Sequence, residues 1–215
     1  MKICAYFCTV DFKKSEILNR VTQVILRYGI KSVTMDDLAR ELAVSKKTLY
    51  AHFGDKRKMI QMLVAEQVDL DKSCCELHRG ESKNAIDEMF RVTSFVTERL
   101  KIANVTFFYD LRTSYPKAFK TMEEYKWGYI QKTIVENLNR GIKEGVYRND
   151  MDANVVAKVY LMSVDMVFGG QAFLDSHKTP HDLFLEIFHL HMRGIVNEHG
   201  LHLLIEHLNY VKVQQ

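Results

Sequence analysis

Between residues 46 and 58 the chain concentrates groups that hydrogen-bond to phosphate and to the edges of bases: Lys46, Lys47, Thr48, Tyr50, His52 and Lys56, followed by Arg57 and Lys58. Cations and hydroxyls of this kind position a protein on nucleic acid, and those at a helix start can reach into a groove. Leu49 and Phe53 fall four apart, so a helix beginning after Ser45 holds itself by one face and turns the polar groups outward or sideways. Catalysis has no comparable constellation. The sequence contains no GxSxG, no Walker loop, no HExxH and no GxGxxG, and the expectation is no enzyme, no catalytic residue and no cofactor. Seven of the nine histidines follow residue 170, among them His177, His181, His199, His202 and His207, but no Cys or carboxylate accompanies them at ligand spacing, so no metal site is expected.

Two further elements must hold that polar helix in place. Thr34 can N-cap, with Asp37 closing a capping-box-like loop, and Met35, Leu38, Ala39 and Leu42 recur at i, i+3, i+4 and i+7. Ala39 allows close helix approach, Ala43 sits in a tight turn, and Val44 and Leu49 plug the space beneath the next helix, as a helix-turn-helix requires. Upstream, Ile17, Leu18, Val21, Val24, Ile25 and Tyr28 repeat with a helical period over about 11–28 and end at Gly29.

The segment Thr34–Lys58, with Tyr50-Ala-His-Phe ahead of Asp55-Lys56, resembles the DNA-binding domain of the TetR family of bacterial regulators. The likeness is dense over about 13–62, and a looser one covers Gly141–Asp152. The resemblance implies an all-α chain: an N-terminal three-helix helix-turn-helix DNA-binding domain, 11–58, and a C-terminal helical ligand-binding and dimerisation domain, 59–210. It implies base contacts from Lys46, Lys47 and Thr48, phosphate contacts from Tyr50, His52 and Lys56, and Thr34 at the same surface. Lys13 and Lys14 would reach phosphate from the first helix. The partners implied are double-stranded DNA with a pseudo-palindromic operator, a small-molecule effector and a second copy of the chain. The helix over 56–77 would carry ligand occupancy to the DNA-reading end. One departure is Ala43, where the family usually has Gly; a left-handed Ala would cost roughly 1 kcal/mol that Gly would not.

Charge supports the division. Residues 1–60 hold 12 Lys and Arg against 6 Asp and Glu, whereas the remainder holds 18 against 21, so the basic excess lies with the helix-turn-helix. No apolar run reaches 18 residues, which predicts no membrane span and a cytoplasmic protein. Met1–Val10 lacks a small-residue cleavage site and reads as a disordered arm or an overlong start, not a signal peptide. Cys4, Cys8, Cys74 and Cys75 form neither a CxxC pair nor a zinc pattern and read as reduced thiols.

Only 2 Pro and 10 Gly predict long helices, placed at about 56–77, 83–102, 104–112, 116–144, 152–174 and 180–209. Asp152 and Thr179 stand as caps, and Pro116 and Pro180 as first-turn residues. The aromatic and Met-rich middle predicts an apolar pocket, with Phe95, Phe108, Trp127, Met162 and Met166 as candidate lining. The resemblance implies pairing through the last two helices, with Phe168, Phe184, Phe188, Met192 and Ile195 as candidates for the seam. The competing reading is an α-helical protein-interaction module without specific DNA binding, distinguished by the salt dependence of a DNA gel shift.

Overall fold

The computed structural model describes residues 12–101, 106–168 and 178–213. Met1–Val10, Cys4, Cys8 and His177 lie outside the described residues, as does the side chain of Lys13. Among the described residues the fold is all-α: α1 (Phe12–Tyr28), α2 (Met35–Glu41), α3 (Lys46–Phe53), α4 (Lys56–Glu81), α5 (Ala85–Leu100), α6 (Phe107–Ser114), α7 (Pro116–Glu124), a π-helical segment (Tyr125–Ile130), α8 (Gln131–Lys143), α9 (Ala153–Phe168), α10 (Pro180–Ile195) and α11 (Glu198–Val213).

Local chemistry sets most of the starts and stops. Thr34, Ser45, Asp55, Asn84 and Thr179 each accept the N–H three residues on. Thr34 and Thr179 complete capping boxes with Asp37 and Asp182. Asp152 Oδ1 accepts the N–H groups of Asn154 and Val155 at the start of α9. Gly29, Gly54 and Gly145 take positive φ where helices end.

Two apolar clusters form. The first joins Val21, Ile25, Leu38, Leu49, Phe53, Met59 and Leu63 to Phe107, Leu111 and Ala118, so α6 and α7 pack directly on the N-terminal helices. The second joins Ile86, Leu138, Tyr147, Leu161, Phe188, Met192, Ile195 and Leu204. Packing is therefore continuous across residue 58, with α4 a single helix from Lys56 and its first turns inside the first cluster.

Three sequence expectations are corrected. Helix α4 passes through His78-Arg79-Gly80 and ends at Glu81, since a single Gly in the last turn costs at most about 1 kcal/mol. The stretch 116–144 winds as a π-helix between Tyr125 and Ile130. The expected helix over 180–209 is two: Val196 is extended (φ −69°, ψ 146°), and Asn197 starts α11 by accepting the Gly200 N–H at 2.9 Å. The break is fastened to the α8–α9 turn. Arg148 N–H donates to Ile195 O at 2.9 Å, Asn197 N–H to Val146 O at 3.1 Å, and Asn197 Nδ2 to Gly145 O at 2.9 Å. A Cβ on Gly200 would lie 2.0 Å from Val146 O, so this approach requires glycine.

Candidate nucleic-acid interface and interior cavity

Helices α2 and α3 meet through Leu38, Ala39, Leu42 and Leu49, all buried, with Val44 packed alongside. Ala43 is left-handed at φ 52°, the one positive φ outside glycine among the described residues. Its N–H donates to Arg40 O at 3.2 Å and that of Val44 to Ala39 O at 3.0 Å, the paired bonds of a Schellman C-cap. These two bonds satisfy carbonyls at the end of α2 and hold Ala43 in its unfavourable region.

The cap of α3 is equally defined: Ser45 Oγ accepts the Thr48 N–H at 3.0 Å and lies 2.8 Å from Thr48 Oγ1. Burial of Leu49 and Phe53 then turns Lys46, Lys47 and Tyr50 to solvent, leaving Thr48 and His52 half-buried. Lys46 Nζ is 2.6 Å from Asp36 Oδ2, a pair exposed on both sides and weak enough to exchange for a phosphate. Thr34 is exposed at the start of α2, its hydroxyl 2.6 Å from Asp37 Oδ2. That hydroxyl, followed by the Thr34 N–H, holds the Asp37 carboxyl below the usual carboxylate range.

Lys56 departs from its expected role. Its ammonium donates to the carbonyls of Ile30 (2.6 Å) and Val33 in the α1–α2 loop, and burial lowers its pKa. The sequence places a cation at a helix start; the fold turns it inward as the support of the loop that precedes Thr34.

A cavity of about 760 Å³ lies between α4, α5, α6, α7, α8 and α9, within the usual range for small-molecule sites. From Leu63 to Cys75 it follows α4 for about 18 Å at 1.5 Å per residue. One end reaches Thr22 and Leu26 of α1. The other holds Gln67, Asp71 and Cys75, opposite Arg99 and the stacked rings of Tyr125 and Tyr129 (5.7 Å, 18°). The π-helical segment supplies both tyrosines and Lys126, a use of π geometry common at sites. Phe95 and Phe108 line the cavity.

The remaining candidates exchange roles. Met162 and Met166 are 60% and 50% exposed on the outside of α9, and the exposed Trp127 donates to Glu123 at 3.2 Å without lining the cavity. Conversely, Phe188, Met192 and Ile195 are at most 2% exposed inside their own subunit, so they are core and not seam. Phe168 and Phe184 line the cavity, Phe168 packing on Phe108 at 4.3 Å. What α9 leaves uncovered is Val155, Val159, Met162 and Met166, one stripe at i, i+4, i+7 and i+11, with Leu190 of α10 exposed at 75%. An apolar face of this kind on a folded chain marks a contact with something else. The sequence signal that could have found it is the apolar character of α9 on more than one side.

The cavity is tied to the helix-turn-helix unit by α6. Asp110, buried at 4%, accepts the Lys31 N–H at 3.1 Å, and Lys31 Nζ lies 3.4 Å from the same carboxylate. Its neighbours Phe107, Phe108 and Tyr109 line the cavity. Among the described residues no group of three or more His, Cys, Asp or Glu could hold a metal ion, and no helix is long and apolar enough to cross a membrane.

Residues 17–63 match the family described as "Bacterial regulatory proteins, tetR family". Over the longer chain the sequence is 22% identical to YvaF of Bacillus subtilis, an uncharacterised HTH-type transcriptional regulator, covering 83% of this chain and 93% of YvaF. It is 24% identical to the HTH-type transcriptional repressor KstR2 of Mycobacterium tuberculosis, covering 68% and 75%. The fold resembles a TetR-family regulator from Agrobacterium tumefaciens (TM-score 0.70, 13% identity, 86% and 98% covered). It also resembles the ketosteroid transcriptional regulator KstR2 (0.60, 21%, 88% and 98%).

Proposed function

We propose that this chain, a DNA-binding transcriptional regulator of the TetR family, is a homodimeric repressor released from a pseudo-palindromic operator by a small molecule in the interior cavity. The observation that carries the reading is the cavity itself, whose wall includes both α1 of the DNA-binding unit and α6, which grips the α1–α2 loop through Asp110 and Lys31. An occupant that moves α6 or α4 changes the support of Thr34 and the placement of α3. A repressor role is favoured by the likeness to KstR2, itself described as a repressor.

On this reading the DNA-binding unit takes in residues 11–58 and the first turns of α4, and the remainder to about residue 210 holds ligand and partner. Lys46, Lys47 and Thr48 read bases with the first turn of α3, while Tyr50 and His52 contact phosphate. Lys56 acts indirectly, as the support of the loop. The stripe Val155, Val159, Met162 and Met166, with Leu190, pairs with its copy in a four-helix arrangement of α9 and α10. The protein works in the cytoplasm, where its operator is.

The test is selection of bound sequences from random duplex DNA, followed by gel shifts of the recovered site at two salt concentrations. A symmetric site with steep salt dependence is expected. Recovery of no preferred sequence would remove the operator reading.

A further inference from the structure

The chemistry of the cavity restricts its occupant, an inference that rests on the reading of the cavity as the effector site. Nearly every charge in its wall is already neutralised. Asp71 pairs with Arg99, Lys126 with Glu123 and with Asp165 at 2.6 Å, and Glu88 with Arg140 at 3.0 Å. Among the described residues, Arg112, exposed on α6, is the lining cation with no carboxylate within ion-pair distance. An ion brought inside would lose its water and find its counterions engaged.

Beside the Asp71–Arg99 pair, Cys75, Tyr125 and Tyr129 are neutral hydrogen-bonding partners. Burial pushes the Cys75 thiol up to about 11 and raises the phenols of Tyr125 and Tyr129 above their ordinary range. Burial also raises the Asp71 carboxyl, the sign of a site poor in water. From this end the cavity runs about 18 Å along α4 to the apolar floor at Leu26 and Leu63.

We propose that the cavity takes an uncharged, elongated amphiphile, apolar along its length, with one hydrogen-bonding end group set against Tyr125, Cys75 and the Asp71–Arg99 pair. The apolar end lies on α1, so the molecule touches the DNA-binding unit directly.

A matched series of 1-decanol, below its solubility limit, and decanoate and decyltrimethylammonium, below their micellar concentrations, tests the class. Trp127, the only tryptophan, sits with its ring 4.9 Å from the ammonium of Lys126, a lining residue, and its fluorescence reports binding alongside thermal shift. The expected result is saturable binding of 1-decanol, with both ions about 100-fold weaker. Asp71→Asn leaves Arg99 without its partner and should strengthen decanoate about ten-fold; Arg99→Gln should do the same for decyltrimethylammonium. Equal or tighter binding of decanoate to the unaltered protein overturns the uncharged class, and its loss in Arg112→Gln would place an anionic head at the rim instead. If no member of the series binds, the effector-site reading falls with the proposal.

Discussion

Ala43 shows how a single residue can be read in advance and still carry a cost. Its left-handed backbone follows from its place between two helices, and the Schellman bonds to Arg40 and Ala39 hold it there. Ala43→Gly should raise stability by about 0.5 kcal/mol, the relief of strain being partly offset by the freer unfolded chain. A thermal melt should move up by roughly 1–2 °C, and a clear fall would contradict the strain. Lys56 is the opposite case, since sequence gives the cation but not its direction. Its ammonium on the Ile30 and Val33 carbonyls predicts that Lys56→Met destabilises by about 1–3 kcal/mol and leaves the salt slope of DNA binding unchanged. A slope reduced by about one, with stability intact, would return Lys56 to the phosphates. His191 was invisible to pattern reading. Its ring stacks on Tyr160 (4.0 Å, 17°), its Nε2 is buried without a hydrogen-bond partner, and burial lowers its pKa to about 4. The neutral form is favoured by folding, so its contribution is whole above about pH 6.5 and is lost as pH falls towards 4. His191→Phe should flatten the acid limb of stability against pH in that window, by about 2–3 kcal/mol at pH 4. An unchanged limb would mean that the imidazole takes up its proton without penalty.

Element boundaries were legible where the signal is local. Thr34, Ser45 and Thr179 cap as their types and spacings predict, because a cap needs only a side-chain oxygen and an N–H three residues on. The α10–α11 break is only half legible: Gly194 and the Asn197 cap on Gly200 are local signals, but nothing beside them fixes the direction of the bend. What bends the chain there is distant, the strand-like bridge from Val196 to Tyr147 and the carbonyls that Asn197 reaches across the α8–α9 turn. The π-helical segment has the same origin, because nothing in Tyr125–Ile130 forbids an ordinary helix. Helix α3 belongs with the legible elements. With Leu49 and Phe53 buried and Ser45 capping, its first turn is fixed in direction. Thr48→Ala or Lys47→Ala should cost about 1–3 kcal/mol on the selected operator and much less on random DNA. Equal losses on both would show that these side chains hold phosphate and read no base.

For the whole molecule, periodicity identified apolar faces but not what each face meets. Helices α9 and α10 are apolar on more than one side, so one side builds the subunit core and another remains outside, and a sequence cannot rank the two. Periodicity alone therefore assigns Phe188, Met192 and Ile195 to the seam and Met162 and Met166 to the cavity. The fold inverts the exposure this would require: α10 turns the first three against α5 and α9, and α9 turns the two methionines to the outside. The reversal separates two substitutions that sequence alone treats as alike. Ile195→Glu puts a carboxylate into the second apolar cluster and should unfold the subunit or cost several kcal/mol of its stability. Met162→Glu puts the same charge on the exposed stripe, where an isolated subunit tolerates it but a pair buries it without a partner. The Met162→Glu chain should therefore keep its helical circular dichroism, elute as a monomer in size-exclusion chromatography, and lose operator affinity because two recognition helices no longer act together. A Met162→Glu protein that stays dimeric would place the seam away from α9, and one that is monomeric yet binds operator with full affinity would show that a single recognition helix suffices.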